Sequence, residues 1–183
     1  MNAGNTAAAV GDPTRGRHQT LTIVLHWVTA LLVFTQFALA LSHDQVSDAE
    51  VRRGILAAHR SLGVAVWLIV MARLAWRLLG MRLPAFPANM ARWHQWGARL
   101  SEWGLYGLLI AQPLTGMAAG SHKAWATVAQ GLHTLGAYGL ASLVLIHAGA
   151  AILHRVIADD GVLDSMLPVP RKLRHPRIQA ESE

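Results

Sequence analysis

Four apolar stretches, over residues 20–41, 55–78, 98–119 and 127–157, constrain this chain more than any other feature. A hydrocarbon core about 30 Å thick needs about 20 residues of helix to cross it, and each stretch is long enough. Inside lipid every backbone N–H and C=O must be satisfied within the protein, so apolar runs of this length fold as helices. The expected fold is therefore all-α, an integral membrane four-helix bundle. With 53% hydrophobic and 14% charged residues among 183, the chain is too apolar for an ordinary soluble domain. The last stretch is over-long and is expected to tilt or to project from the membrane. The third contains Pro113, which predicts a kink that its neighbours must accommodate. Residues 1–19 are small and polar and lack the pattern of a cleaved signal, so the first span is expected to stay. The helical domain is expected over 15–170, flanked by polar tails at 1–14 and 171–183 that bury no hydrophobic face and read as disordered.

Positive charge orients the bundle. The formal net charge is +6 and the isoelectric point is near 11.0, a balance that can signal nucleic-acid binding. Here the basic residues gather at the ends of the apolar stretches, where membrane topology accounts for them, and nucleic acid is set aside. Twelve of the sixteen Lys and Arg fall on the N-terminal segment, the connection between the second and third stretches, and the C-terminal segment. Arg52, Arg53, Arg60 and Lys123 fall on the other side. The positive-inside rule then puts both termini in the cytoplasm.

Four histidines lie within the apolar stretches: His26, His59, His133 and His147. The last two are 14 residues apart on one helix, about 21 Å along its axis and within about 40° of the same face. Ionisable residues inside a membrane are costly and usually functional. The orientation sorts them by depth. His26 lies early in an outward-going helix and His147 late in an inward-going one, so both sit in the inner half. His59 and His133 each lie early in inward-going helices and share the outer half. Two bis-histidine sites at two depths form a haem arrangement, whereas a bare transition metal would ordinarily want carboxylate or thiolate partners. For each histidine alone, a core residue bonded to a neighbouring carbonyl is the competing reading. The chain has no cysteine, which excludes disulfides, thiolate ligation, iron–sulfur clusters and covalent c-type attachment. Any haem is therefore of b type. This pairing uses the first, second and fourth helices and leaves the third as packing and pocket wall.

Leu25-His26-Trp27 preceded by Arg17, Ala58-His59-Arg60-Ser61-Leu62-Gly63, Arg73-Leu74-Ala75-Trp76-Arg77, Gln112-Pro113-Leu114-Thr115-Gly116, Leu132-His133 and Ile146-His147 with His154 beyond occur in an order and spacing that resembles the prokaryotic cytochrome b561 family. The resemblance spans about residues 15–170. It implies a four-helix, two-haem b cytochrome of the bacterial inner membrane, with His26, His59, His133 and His147 as iron ligands. It also implies one of two activities. One branch resembles superoxide oxidases, which pass electrons from superoxide to ubiquinone. Related cytochromes are membrane-anchor and relay subunits that link a separate dehydrogenase, hydrogenase or reductase to the quinone pool.

Bis-histidine ligation fills both axial positions and favours outer-sphere electron transfer over oxygen binding. Electron exit has a candidate in His154, seven residues past His147 and about 10 Å nearer the cytoplasm on nearly the same face. It could donate a proton to a quinone carbonyl, and an interfacial cap beside Arg155 is the alternative. His94, with Trp93 and Trp96, could complete that pocket, or these tryptophans could form an interfacial belt. On the outer side Arg52, Arg53, Arg60 and Lys123 could attract an anionic donor such as superoxide, an effect moderated by Asp44, Asp48 and Glu50 in the same loop. Arg60 on the outer side, and Arg17 and Arg73 on the inner, could instead neutralise haem propionates. Glu102 is expected to pair locally with Arg99, with proton uptake as the alternative. The short outer loops offer little docking surface for a redox partner protein and favour the self-contained oxidoreductase.

Overall fold

The computed structural model describes residues 13–79, 92–153 and 156, with side chains from residue 20 onward. Four helices run in order: α1 over Pro13–His43, α2 over Ala49–Leu78, α3 over Arg92–Ala119 and α4 over Ala126–Leu153. Each helix outruns its apolar stretch at the N-terminal end. The reason is plain at α2: Asp48 caps it, its Oδ1 accepting from the backbone N–H groups of Glu50 and Val51 at 2.8 and 2.9 Å. A polar first turn through Arg52 and Arg53 follows before the apolar run begins. Proline at the first position of α1 supplies helical φ where no N–H partner is needed.

The helices pack in sequence order, α1 on α2, α2 on α3 and α3 on α4, while α1 and α4 do not pack closely. Glycines let α3 and α4 approach: a Cβ on Gly104 would stand 2.9 Å from the Leu143 side chain. Pro113 is accommodated within α3, which continues to Ala119.

Three of the helices, α1 from Thr20, α2 and α4, have the length and composition of membrane spans. The expectation of four spans thus meets a difference at α3. It is 28 residues long, about 42 Å, and therefore long enough. Its shortfall is in hydropathy, because Trp103, Tyr106, Gln112, Pro113 and Thr115 break its apolar run. Several of these polar groups face neighbouring helices rather than lipid.

The core is small and placed at mid-height. Val33, Val66, Val70 and Leu140 form the buried cluster, with Phe37, Tyr106, Leu109 and Val144 among those packed against it. Val33 follows His26 by seven residues, Val66 follows His59 by seven, and Leu140 lies seven from both His133 and His147. Seven residues fall only about 20° short of two turns, so each core residue shares its histidine's face. Large apolar side chains such as Leu31, Phe34, Leu135 and Leu145 are 61–72% exposed, as a lipid-facing surface requires.

Candidate functional site

The four candidate histidines form two facing pairs. His26 on α1 and His147 on α4 have ring centres 6.4 Å apart, with planes at 53°. His59 on α2 and His133 on α4 have ring centres 6.2 Å apart, with planes at 87°. The second pair lies toward the end carrying the connections 44–48 and 120–125, hereafter the loop end; the first lies toward the opposite end. The buried layer of Val33, Val66 and Leu140 separates them.

These spacings have a chemical meaning. A metal–imidazole bond of about 2 Å, plus about 1.1 Å from the bonded nitrogen to the ring centre, puts two imidazoles on opposite sides of one ion about 6.2 Å apart. Among the described residues no three of His, Cys, Asp or Glu cluster as a protein-only metal cage. A pair of imidazoles at this separation therefore suits an iron whose remaining four ligands come from a macrocycle. His26, His59 and His133 are partly buried and His147 is exposed; His26 and His147 sit on α1 and α4, which do not pack closely.

His133 is the most completely held of the four rings. Its Nδ1 lies 3.0 Å from the Gln112 carbonyl oxygen and 3.3 Å from Thr115 Oγ1. A carbonyl oxygen only accepts, so Nδ1 carries the proton and the lone pair is on Nε2, the tautomer a metal needs. The ring also lies against Gly116, where a Cβ would stand 3.1 Å from His133 Cε1. His59 Nδ1, by contrast, is buried with no hydrogen-bond partner.

Two glutamines had no role assigned from sequence, although Gln112 stands in one of the motifs quoted above. Gln36 Nε2 donates to the His59 carbonyl at 2.9 Å, and Gln112 Nε2 donates to the His133 carbonyl at 3.1 Å. Each lies over a glycine one turn beyond the histidine: a Cβ would stand 3.0 Å from the glutamine amide at Gly63 and at Gly136 alike. The two hairpins α1–α2 and α3–α4 thus repeat one device. In each, a glutamine seven residues before the end of the first helix braces the backbone of a histidine in the second. An amide inside an apolar span was the available signal, since such groups need a buried partner. The third helix, expected as packing and pocket wall, supplies the contacts around His133.

Toward the opposite end, Arg73 Nη2 approaches His26 Nδ1 at 3.5 Å, the outer limit of a hydrogen bond. Arg73 follows His59 by 14 residues, so α2 presents an imidazole at one level and a guanidinium at the other on the same face. Its neighbour Tyr106 is a hydrogen-bond partner. Such a fork could bind a carboxylate. Arg60 is exposed, with Nη2 close to Gly120 in the α3–α4 connection. Glu102 forms an ion pair across the helices with Arg77, an interhelical partner that the local expectation of Arg99 did not include. The Arg77 guanidinium also stands over the rings of Trp103 and Tyr106, at 4.9 and 5.8 Å.

Other expected residues are not gathered at the paired rings. Trp93 and Trp96 are 70% and 72% exposed at the start of α3, with the His94 ring against Trp93 at a tilt of 41°. A cleft of about 260 Å³ there is lined by Arg92, Gln95, Trp96 and Arg99. His154 and the side chain of Arg17 lie outside the described residues.

The family profile of the prokaryotic cytochrome b561 proteins matches residues 17–169. The chain is 30% identical to "Cytochrome b562" of Cereibacter sphaeroides over 158 residues, covering 80% of this chain and 92% of that one. It is 27% identical to "Cytochrome b561 homolog 1" of Escherichia coli K12 over 168 residues, covering 80% and 94%. No solved structure matches. A profile spanning both ring pairs and every described helix settles the assignment: the chain belongs to the prokaryotic cytochrome b561 family, as a multi-pass, haem-binding membrane protein of electron transfer.

Proposed function

We propose that His26 with His147, and His59 with His133, each hold one b-type haem. The protein then carries electrons across the inner membrane from a donor at the loop end, superoxide in the reading supported best, to ubiquinone at the other end. The observation that carries this is the pair of ring separations, 6.4 and 6.2 Å, set at two levels along α4. When bound, the two haems would supply one-electron carriers, each held by two histidines, His26 with His147 and His59 with His133, chemistry that favours outer-sphere transfer.

The chain's own residues do the rest. The imidazoles fix the position of each iron, and Gln36 and Gln112 hold the helices that carry the loop-end pair. The Val33–Val66–Leu140 layer keeps water out of the interval between the levels. At the loop end, Arg52, Arg53, Arg60 and Lys123 draw an anionic donor inward. Arg60, Arg73 and Arg17 are the proposed partners of haem carboxylates. His154 is the proposed proton donor to the reduced quinone. Short connections at the loop end, 44–48 and 120–125, leave little surface for docking a separate enzyme subunit, which favours the self-contained oxidoreductase over a relay role.

Stopped-flow mixing of purified protein with superoxide, in the presence and absence of ubiquinone, tests this. Rapid haem reduction followed by quinone-dependent re-oxidation is expected. Haem that stays oxidised on mixing with superoxide, yet is reduced through an added partner enzyme, assigns the relay role instead.

A further inference from the structure

The turn Gln112–Gly116 of α3 touches the His133 ring at three kinds of atom. The Gln112 carbonyl accepts from Nδ1 at 3.0 Å. The Thr115 hydroxyl stands 3.3 Å from the same nitrogen, itself tethered to the Ala111 and Gln112 carbonyls at 3.0 Å each. Gly116 offers a flat surface that a methyl group would fill, 3.1 Å from Cε1 and 3.3 Å from Nδ1. The hydrogen bond fixes rotation about the Cβ–Cγ bond, and the glycine fixes the depth to which the ring enters. A ring held this way has little freedom to turn. Its plane stands at 87° to that of His59, whereas His26 and His147 meet at 53°.

We propose that this turn of α3 is a positioning device that sets the plane and the protonated nitrogen of His133, so that the loop-end iron carries crossed axial imidazoles and the other iron does not. The inference rests on the two-haem reading above. Residues that orient a ligand and hydrogen-bond its distal nitrogen tune the metal without touching it. Crossed imidazole planes leave the two ferric orbitals that interact with the ligand π systems nearly equal in energy. The resulting low-spin signal is highly anisotropic, with one dominant low-field feature. The Nδ1–H···O=C bond also makes the imidazole a stronger donor, which favours the ferric state.

The test compares the full-length wild type with Gly116→Ala, Thr115→Val, Thr115→Ser and, as a control on the same helix, Gly107→Ala, where a Cβ meets nothing within 4 Å. Haem content, electron paramagnetic resonance of the oxidised protein and redox titration are read together. Gly116→Ala should move the dominant low-field feature to higher field as the ring is pushed round, with the second haem signal unmoved. Thr115→Val removes the second acceptor within reach of Nδ1–H and should raise the midpoint potential of that one haem, and Thr115→Ser should restore it. Gly107→Ala should match wild type throughout. Gly116→Ala retaining both haems with an unmoved low-field feature overturns the proposal. If Gly116→Ala fails to hold haem, Thr115→Val decides alone: a potential equal to wild type overturns it, and a rise reversed in Thr115→Ser supports it. A wild type with fewer than two haems fails the two-haem reading itself, a result distinct from any of these.

Discussion

In the proposed arrangement each iron site would be assembled from two helices, with one imidazole of each pair on either side. Removing either member of a pair therefore ought to undo one site and spare the other. Replacing His26 or His147 with alanine is expected to remove one haem and leave the loop-end site spectroscopically intact, while His59→Ala or His133→Ala does the reverse. Redox titrations of the four variants should fall into these two groups, and a His26 variant that grouped with His133 would refute the pairing. The histidines were legible in the sequence because their information is local: 14 residues on one helix fixes a face and a depth without any tertiary contact. The contacts of Gln36, Gln112 and Thr115 were not, although the last two stand in a quoted motif and all three touch the same rings or their backbones. Their roles depend on which helix lies beside which and on the room left by Gly63, Gly116 and Gly136. Hydropathy does not carry that information.

At the scale of the element, the helices begin before their apolar runs do, because a cap and a polar first turn can extend outside lipid while hydropathy counts only what lies within it. Asp48 and the turn after it are the example at α2. The weakest sequence reading was that of α3, whose side chains serve its neighbours rather than lipid. Gln112 and Thr115 face His133, and Glu102 faces Arg77. That last pair ties the end of α2 to the start of α3, and its side chains are only 19% and 31% exposed. Breaking a half-buried pair leaves one charge with poor solvation, at a cost of about 1–3 kcal/mol, whereas replacing both partners with apolar groups restores much of it. Glu102→Leu should thus lower the thermal midpoint in detergent more than the double substitution Arg77→Met with Glu102→Leu. Equal losses for the two would assign the contribution to packing of Arg77 on Trp103 and Tyr106 instead.

For the whole molecule, sidedness follows from whether α3 crosses. Three helices satisfy span criteria by composition, and three crossings would put the termini on opposite faces. Four crossings put them on one. The packing argues for four: α3 lies between α2 and α4, and Gln112 and Thr115 reach His133 at the loop end while Glu102 reaches Arg77 toward the other. A helix that engages both levels of the bundle runs its height, and its polar groups are satisfied by protein rather than exposed to lipid. With four crossings, the distribution of Lys and Arg predicts both termini in the cytoplasm, and we propose that orientation. Because the chain has no cysteine, single cysteines report sidedness without background. Asn5→Cys and Ser182→Cys should react with a membrane-impermeant maleimide only after the inner membrane is opened. Ser47→Cys and His122→Cys, in the two loop-end connections, should react once the outer barrier alone is removed. A terminal pair that labels from opposite sides would mean that α3 does not cross. The electron path proposed between the two ring pairs would then need a different relation to the membrane, since the loop-end cations would no longer share a compartment.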